Sequence, residues 1–424
     1  MKAIRVLCSF LVVLTSIRAH ADTAWSEQKV TASDGTSNTY FGTAAAVSGP
    51  FALIGAYGDR NHHGAAYIET KSGALWSETQ KIVADDGLAG DEFGYRVAIQ
   101  PNRIFVTAYN AMIGANTAQG SAYVFESDNG FDGWLQVQKL TADDGAVLDN
   151  FGQAIAVDGD LLVIGANGAT IGDQGAQGAA YVFAYDGTNW VQQQKLIADN
   201  GDTVDNFGVS AAMKDGTILI GSPYAAVNGH VNQGAVYVFT NSGSGWTQVQ
   251  EFSASDGGPG DSFGMSMALE GTTLVVGATG TDGHGAAYVF NGDGTGGTWT
   301  ETREPDCIAE IVVGARVVGD DDNFGDAIGL SGSDVLIAAD VATVDGNTSR
   351  GAGYLFTLTG GTWLQSHKFV ASDGTTDDFL GAAAAYDGET AILSSPHPVI
   401  NGHTWQGAAY FYARDTLFAD GFDN

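Results

Sequence analysis

The residues best suited to chemistry are histidines, aspartates and aromatics gathered in loops. Six of the eight histidines, His62, His63, His230, His284, His397 and His403, fall in the connection after an apolar strand. Asp59 and Asp282 lie in the same connections, as do the aromatics Tyr57, Tyr109, Tyr224 and Trp405. Imidazole and carboxylate together suit a transition metal or a polar ligand, and exposed aromatic rings suit sugars or a protein anchor. Each group sits in a separate repeat of the chain, so the spacing does not bring ligands to one ion. The candidate binding residues are therefore Tyr57, Asp59, His62, His63, Tyr109, Tyr224, His230, Asp282, His284, His403 and Trp405, with no metal site assigned.

A second acidic series recurs at fixed spacing: Asp86-Gly87 with Asp91, Asp144-Gly145 with Asp149, Asp256-Gly257 with Asp261. Oxygen ligands of this kind suit calcium. The same residues also make turns, with Asp-Gly at the bend and the second Asp accepting backbone hydrogen bonds. The turn reading is favoured; no cofactor is required, and calcium is the ion this acidic series would suit. No nucleophile elbow, H-E-x-x-H or P-loop is read in the chain, and Cys307 has no patterned histidine partner. An enzyme is therefore not expected. A polar central pocket with interacting carboxylates would favour one.

What positions these loops is a repeat. Trp25, Trp76, Trp134, Trp190, Trp246, Trp299 and Trp363 are separated by 51, 58, 56, 56, 53 and 64 residues. The third unit shows the plan: WLQVQKLTADDG, DNFGQAIAVDGDLLVIGANG, GAAYVFAYDGTNW. Strand A follows the Phe-Gly pair, B is LLVIGA, C is AAYVFA and D is the next WVQQQKLIA. Tight turns such as Asp158-Gly159, Asp215-Gly216 and Asp387-Gly388 make A and B antiparallel neighbours. Strands B and C are apolar at nearly every position, as in a sheet covered on both faces. Radial stacking of such sheets solves the edge problem.

Strand A is read to begin at Phe41, Phe93, Phe151, Phe207, Phe263, Phe324 and Phe379, which predicts seven blades. The chain opens with an orphan strand D, 25–32, and its last unit ends after strand C, so the two ends should complete one blade. The fold class is all-β, a seven-bladed propeller of four-stranded antiparallel blades over residues 22–413. The repeated tryptophans and the tyrosine of each strand C are read as blade core. Antiparallel order puts the B–C and D–A loops on one face of the disc.

These elements resemble the FG-GAP repeat of integrin α-subunit propellers and their exported bacterial relatives. The resemblance rests on seven ordered copies of Phe-Gly, Gly-Ala and Gly-Ala-Ala-Tyr-Val-Phe, or close variants, across residues 25–413. Thr107-Ala108 and Ala338-Ala339 replace Gly-Ala, and Phe379-Leu380 is read as breaking the last Phe-Gly pair; less regular packing is expected there. Integrin calcium loops lie between strands A and B, where this chain has only tight turns, so those sites do not carry over. Extra residues between Trp299 and Phe324, with Cys307 and the run 308–313, predict an excursion on one blade.

Composition narrows the function. With 49 acidic and 17 basic residues the formal charge is −32, which opposes a nucleic-acid partner. Residues 1–21 read as a signal peptide, with Lys2 and Arg5, an apolar run from Val6 to Ile17 and Ala19-His20-Ala21 before the cut. Cleavage would leave Cys307 as the lone cysteine. No later run is long and apolar enough to span a membrane. The tail 414–424 resembles short sorting tails. The expected protein is a secreted, monomeric, non-catalytic binding or adhesion protein, with an extracellular protein or glycan as partner; a lectin-like glycan-binding propeller is the alternative, and a polysaccharide-active enzyme a third reading.

Overall fold

A computed structural model of the chain describes residues 25–127, 133–302, 310–311 and 322–414. The segment 1–21 read as a signal peptide, Cys307 and the tail beyond residue 414 lie outside the described residues. Seven antiparallel sheets form the ring, one per repeat. In blade three, Phe151–Asp158, Leu161–Ala166, Ala179–Tyr185 and Trp190–Leu196 run in order from the axis to the rim. Blades one, two, four, five and six span 45–82, 93–140, 210–252, 263–311 and 328–369.

Periodicity dictates this layout. Strands B and C are buried along most of their length, as in Leu162, Val163 and Ile164 against Tyr181, Val182 and Phe183. Strand D alternates, and Gln192 and Gln194 flank a bulge opposite Val182 and Phe183. In the D strands a glutamine clamps the backbone of the next tryptophan. Gln138 Nε2 donates to Trp190 O at 2.8 Å while its Oε1 accepts from Trp190 N at 2.8 Å. The Gln28–Trp76, Gln80–Trp134, Gln194–Trp246 and Gln250–Trp299 pairs repeat this geometry.

Closure takes the expected route. Blade seven joins Ala383–Tyr386, Thr390–Ser395 and Ala408–Arg414 to the first strand of the chain, Trp25–Val30, which pairs antiparallel with Ala408–Arg414. Successive blades are also locked near the axis by parallel bridges, Gly64 to Phe93, Gly120 to Phe151, Gly178 to Phe207 and, across the seam, Gly407 to Phe41.

Three expectations need correction. The seventh bridge is Gly351 to Leu380, so the last Phe-Gly equivalent is Leu380-Gly381, and Phe379 occupies the position before it. Leu380 is fully buried, whereas Phe379 is half-buried with φ +56°. Blades two and six are as regular as the others, since Thr107 and Ala338 pair with Ala122 and Gly353 in the repeat register. Trp76, Trp134, Trp190, Trp246 and Trp299 are buried, but Trp25 and Trp363 are only partly covered. The extra residues expected to form an excursion on one blade lie mostly outside the described residues; Trp299–Glu301 and Glu310–Ile311, which flank part of them, both pair with Ala286–Gly292 of blade five.

Candidate binding face

The B–C and D–A loops share one face because each B–C loop rests on the next D–A loop. Leu148, Asn150 and Phe151 donate backbone N–H groups to the carbonyls of Thr117, Ala118 and Gln119 at 3.0, 3.0 and 2.9 Å. The acidic repeats serve this scaffold. Asp144 accepts from Tyr181 OH at 2.9 Å and from Lys195 Nζ at 2.7 Å. Burial alone would raise its pKa, but Lys195 and Tyr181 outweigh it and hold the carboxyl below the usual range. Asp34, Asp86 and Asp373 repeat the arrangement with Tyr67 and Lys81, Tyr123 and Lys139, and Tyr410 and Lys29. The second aspartate of each series caps a turn, as Asp149 Oδ2 accepts from Ala146 N at 2.7 Å.

The residues named from sequence separate into three groups. Asp59 and His63 are scaffold: Asp59 is buried and bound to Lys81 at 2.9 Å, and His63 Nδ1 lies 2.5 Å from the Arg60 carbonyl. Tyr224 and His230 are exposed on the B–C loop of blade four, Asp282 and His284 on that of blade five and His403 on that of blade seven. Tyr57, His62, Tyr109 and Trp405 come together at blades seven, one and two.

There the rings form a row. Trp405 stacks on Tyr40 at 5.9 Å, Tyr40 on Tyr57 at 4.9 Å, Tyr57 meets Tyr95 at 6.4 Å, and Tyr95 meets Tyr109 at 4.0 Å. His397 stands edge-on to Tyr40 and to Phe379, and His62 Nδ1 lies 3.4 Å from Glu92. Burial, then Tyr40, Glu92 and Tyr95, pushes the Tyr57 hydroxyl up to about 12. Burial likewise lowers the His397 pKa, against the nearby Asp378 and Asp377.

Sequence reasoning missed Tyr40, Glu92, Tyr95 and Phe379. The available signal was the residue before each Phe-Gly. It is Asn150, Asn206 and Asn323 in three repeats and Ser262 in another, all with positive φ, but Tyr40, Glu92 and Phe379 in the blades that carry the row. Asparagine tolerates this left-handed backbone; bulky residues there are uncommon and strained. Trp405 at φ +54° departs in the same way from Ala118, Ala176, Asn232 and Ser349.

Exposed apolar residues continue the face across blades two to four. Leu88, Met112, Val147, Leu148, Val204 and Val231 are between 45% and 65% exposed. Leu148 and Val204 hold φ of +67° and +68°, a conformation that is a genuine outlier for β-branched valine.

The axial channel is lined by all seven innermost strands and is mostly small or apolar, with Arg96 and Asp326 as its charged groups. Burial and then Asp340 raise Asp326 to about 7, while Arg96 opposes them. A G-x-S-x-G string does occur once, at Gly260-Asp261-Ser262-Phe263-Gly264. Ser262 there takes the place of the repeat's asparagine, with its Oγ 3.5 Å from the Gly260 carbonyl, which is turn geometry.

The family match agrees with this architecture. The pattern described as FG-GAP repeat matches residues 25–68, 76–125, 134–183, 190–239, 246–290 and 363–412. No curated protein matches the sequence significantly. Among solved structures, Saccharomyces cerevisiae Sqt1 is similar with a TM-score of 0.49 at 11% identity, over 91% of this chain and 98% of that one. The unmatched repeat between residues 290 and 363 is the one interrupted after Trp299. With six matched repeats over more than half of its 424 residues, the chain belongs to the FG-GAP repeat family.

Proposed function

We propose that this is an exported, non-catalytic binding protein of the adhesion type, and that the face carrying the B–C and D–A loops is its binding surface. The observation that carries the reading is an asymmetry between the two faces. Leu88, Met112, Val147, Leu148, Val204, Tyr224, Val231, Val399 and Trp405 are exposed on the loop face. Among the described residues the opposite face exposes Leu358 at the end of a C strand, and Leu75 and Leu135 at the starts of rim strands. A concentration of apolar and aromatic surface on one side marks an interaction site, and strain retained in Leu148, Val204, Tyr40 and Trp405 marks function rather than stability.

Binding to arrayed matrix proteins and glycans tests the reading. Leu148→Asp with Val204→Asp should abolish protein binding, whereas Val137→Asp on the rim should leave it intact. Equal binding by all three proteins would place the interface elsewhere.

A second reading, turnover in the channel, is favoured by Asp326, which lines the channel together with Arg96. Polysaccharide cleavage that disappears in Asp326→Asn would support it. Absence of cleavage by the unmodified protein would remove it.

A further inference from the structure

We infer that the groove on blade seven, between residues 373–378 and 397–405, is a saccharide subsite that takes a pyranose ring of a glycan. The inference rests on the loop face being the binding face. The groove holds about 380 Å³, within the lower range of small-molecule sites.

In blade three Gly168 N donates to Asp149 O at 3.1 Å, and a Cβ on Gly168 would lie 2.0 Å from the Leu148 carbonyl. In blade five Gly280 makes the same bond to Asp261 O at 3.0 Å, with 1.9 Å between its would-be Cβ and the Gly260 carbonyl. Both loops therefore close on each other wherever this position is glycine. Blade seven has His397 between Pro396 and Pro398. His397 stands where those blades have glycine, as Asn110 and Tyr224 do in blades two and four, and the two loops stay tied beside it: Ser395 Oγ donates to the Asp378 carbonyl and the His397 ring stands edge-on to Phe379 at 4.8 Å, so the groove lies outside that contact.

The lining selects the ligand class. Trp405 is 49% exposed and presents a broad aromatic surface at the groove edge, in a backbone conformation where other repeats use small residues. Asp377 offers a carboxylate at the loop tip, with Thr375 and Thr376 beside it. Lys29 donates to Asp373 at 2.7 Å, and an ammonium carries three donors. The buried Nδ1 of His397 has no hydrogen-bond partner.

Carboxylate acceptors and an ammonium donor around one aromatic platform suit groups that both donate and accept, which hydroxyls do. A sugar presents a hydroxyl edge together with an apolar C–H face. An anionic ligand would meet Asp373, Asp377 and Asp378, and a basic side chain would meet Lys29 with no use for its protons.

The test is a glycan array on the full mature protein, followed by saturation-transfer NMR with the saccharides that bind. Trp405→Ala and Asp377→Asn should each weaken binding at least tenfold with unchanged melting temperature, and Tyr224→Ala on blade four should not. No saccharide bound at millimolar concentration, or hits unaffected by both groove variants, would overturn the inference. Basic peptides competing for the groove would overturn it as well. The two readings fail separately. Protein binding lost in the Leu148/Val204 variant without any saccharide binding sinks only the sugar subsite. Groove-dependent saccharide binding, with protein binding indifferent to Leu148 and Val204, sinks only the apolar docking surface.

Discussion

Gly407 forms a parallel bridge with Phe41 across the seam where the two ends of the chain meet. Its φ is +85°, and a Cβ there would lie 2.1 Å from the Phe41 carbonyl. Gly402, five residues earlier, has φ +86° with nothing within 4 Å of its would-be Cβ. Gly402→Ala should cost about 1 kcal/mol from backbone strain alone. Gly407→Ala should cost about 3 kcal/mol or more, because the blades must also move apart. Urea denaturation of the two variants separates these terms, and equal losses would show that the seam gives way easily.

Removing the closing strand is the coarser version of the same experiment. Deletion of residues 21–32 takes away the antiparallel partner of Ala408–Arg414 and the Gln28 clamp on Trp76. The truncated protein should melt earlier and expose the edge of blade seven. Unchanged melting would contradict closure by the first strand.

Glu69 should make the protein more stable in mild acid. It stands two residues beyond Tyr67 in strand C, where blade three has Phe183 two beyond Tyr181, and it is fully buried with both carboxyl oxygens unpartnered. Burial and then Glu78 push its pKa from 4.5 up to about 8. Between these values the unfolded chain has ionised while the folded chain keeps its proton, so the folded state is favoured less as pH rises. The slope from this group is at most about 1.4 kcal/mol per pH unit. Subtracting a Glu69→Gln melting series from that of the parent protein isolates it. Glu69→Phe should stabilise at neutral pH, and a flat difference curve would mean that the carboxyl reaches water.

Blade four inverts the charge pattern of its neighbours. Where blade three pairs Asp144 with Lys195, blade four has Asn200 Nδ2 donating to Glu251 at 3.0 Å. Asn200→Asp should destabilise by about 1 kcal/mol by setting two carboxylates together, and adding Glu251→Lys should restore the loss. A double-mutant cycle with no coupling would show that solvent screens the pair completely.

Leu148→Asn and Val204→Asn should each raise stability by about 1 kcal/mol while weakening binding, since asparagine accepts the left-handed backbone and little packing is lost. Thermal melting and partner binding should move in opposite directions. A fall in both would mean that these side chains hold their loops in place.

The sequence by itself determined the architecture. A tryptophan period, seven turns into strand A and apolar B and C strands admit one closed solution, because each sheet must cover both faces and leave no edge. It also determined the turn role of the aspartates, which is local chemistry between a carboxylate and backbone N–H groups within three residues. The proposed binding face was legible only in part. Tyr57, His62, Tyr109 and Trp405 were visible as loop residues, but they lie far apart in the chain, and only ring closure brings Trp405 onto Tyr40. Phe379 was misassigned because a Phe-Leu-Gly string allows two registers, and buried packing against Gly351 chose Leu380 for the core. The groove could not be read at all. It depends on which side chains of residues 373–378 and 397–405 the fold sets around one space, which is a property of packing rather than of pattern.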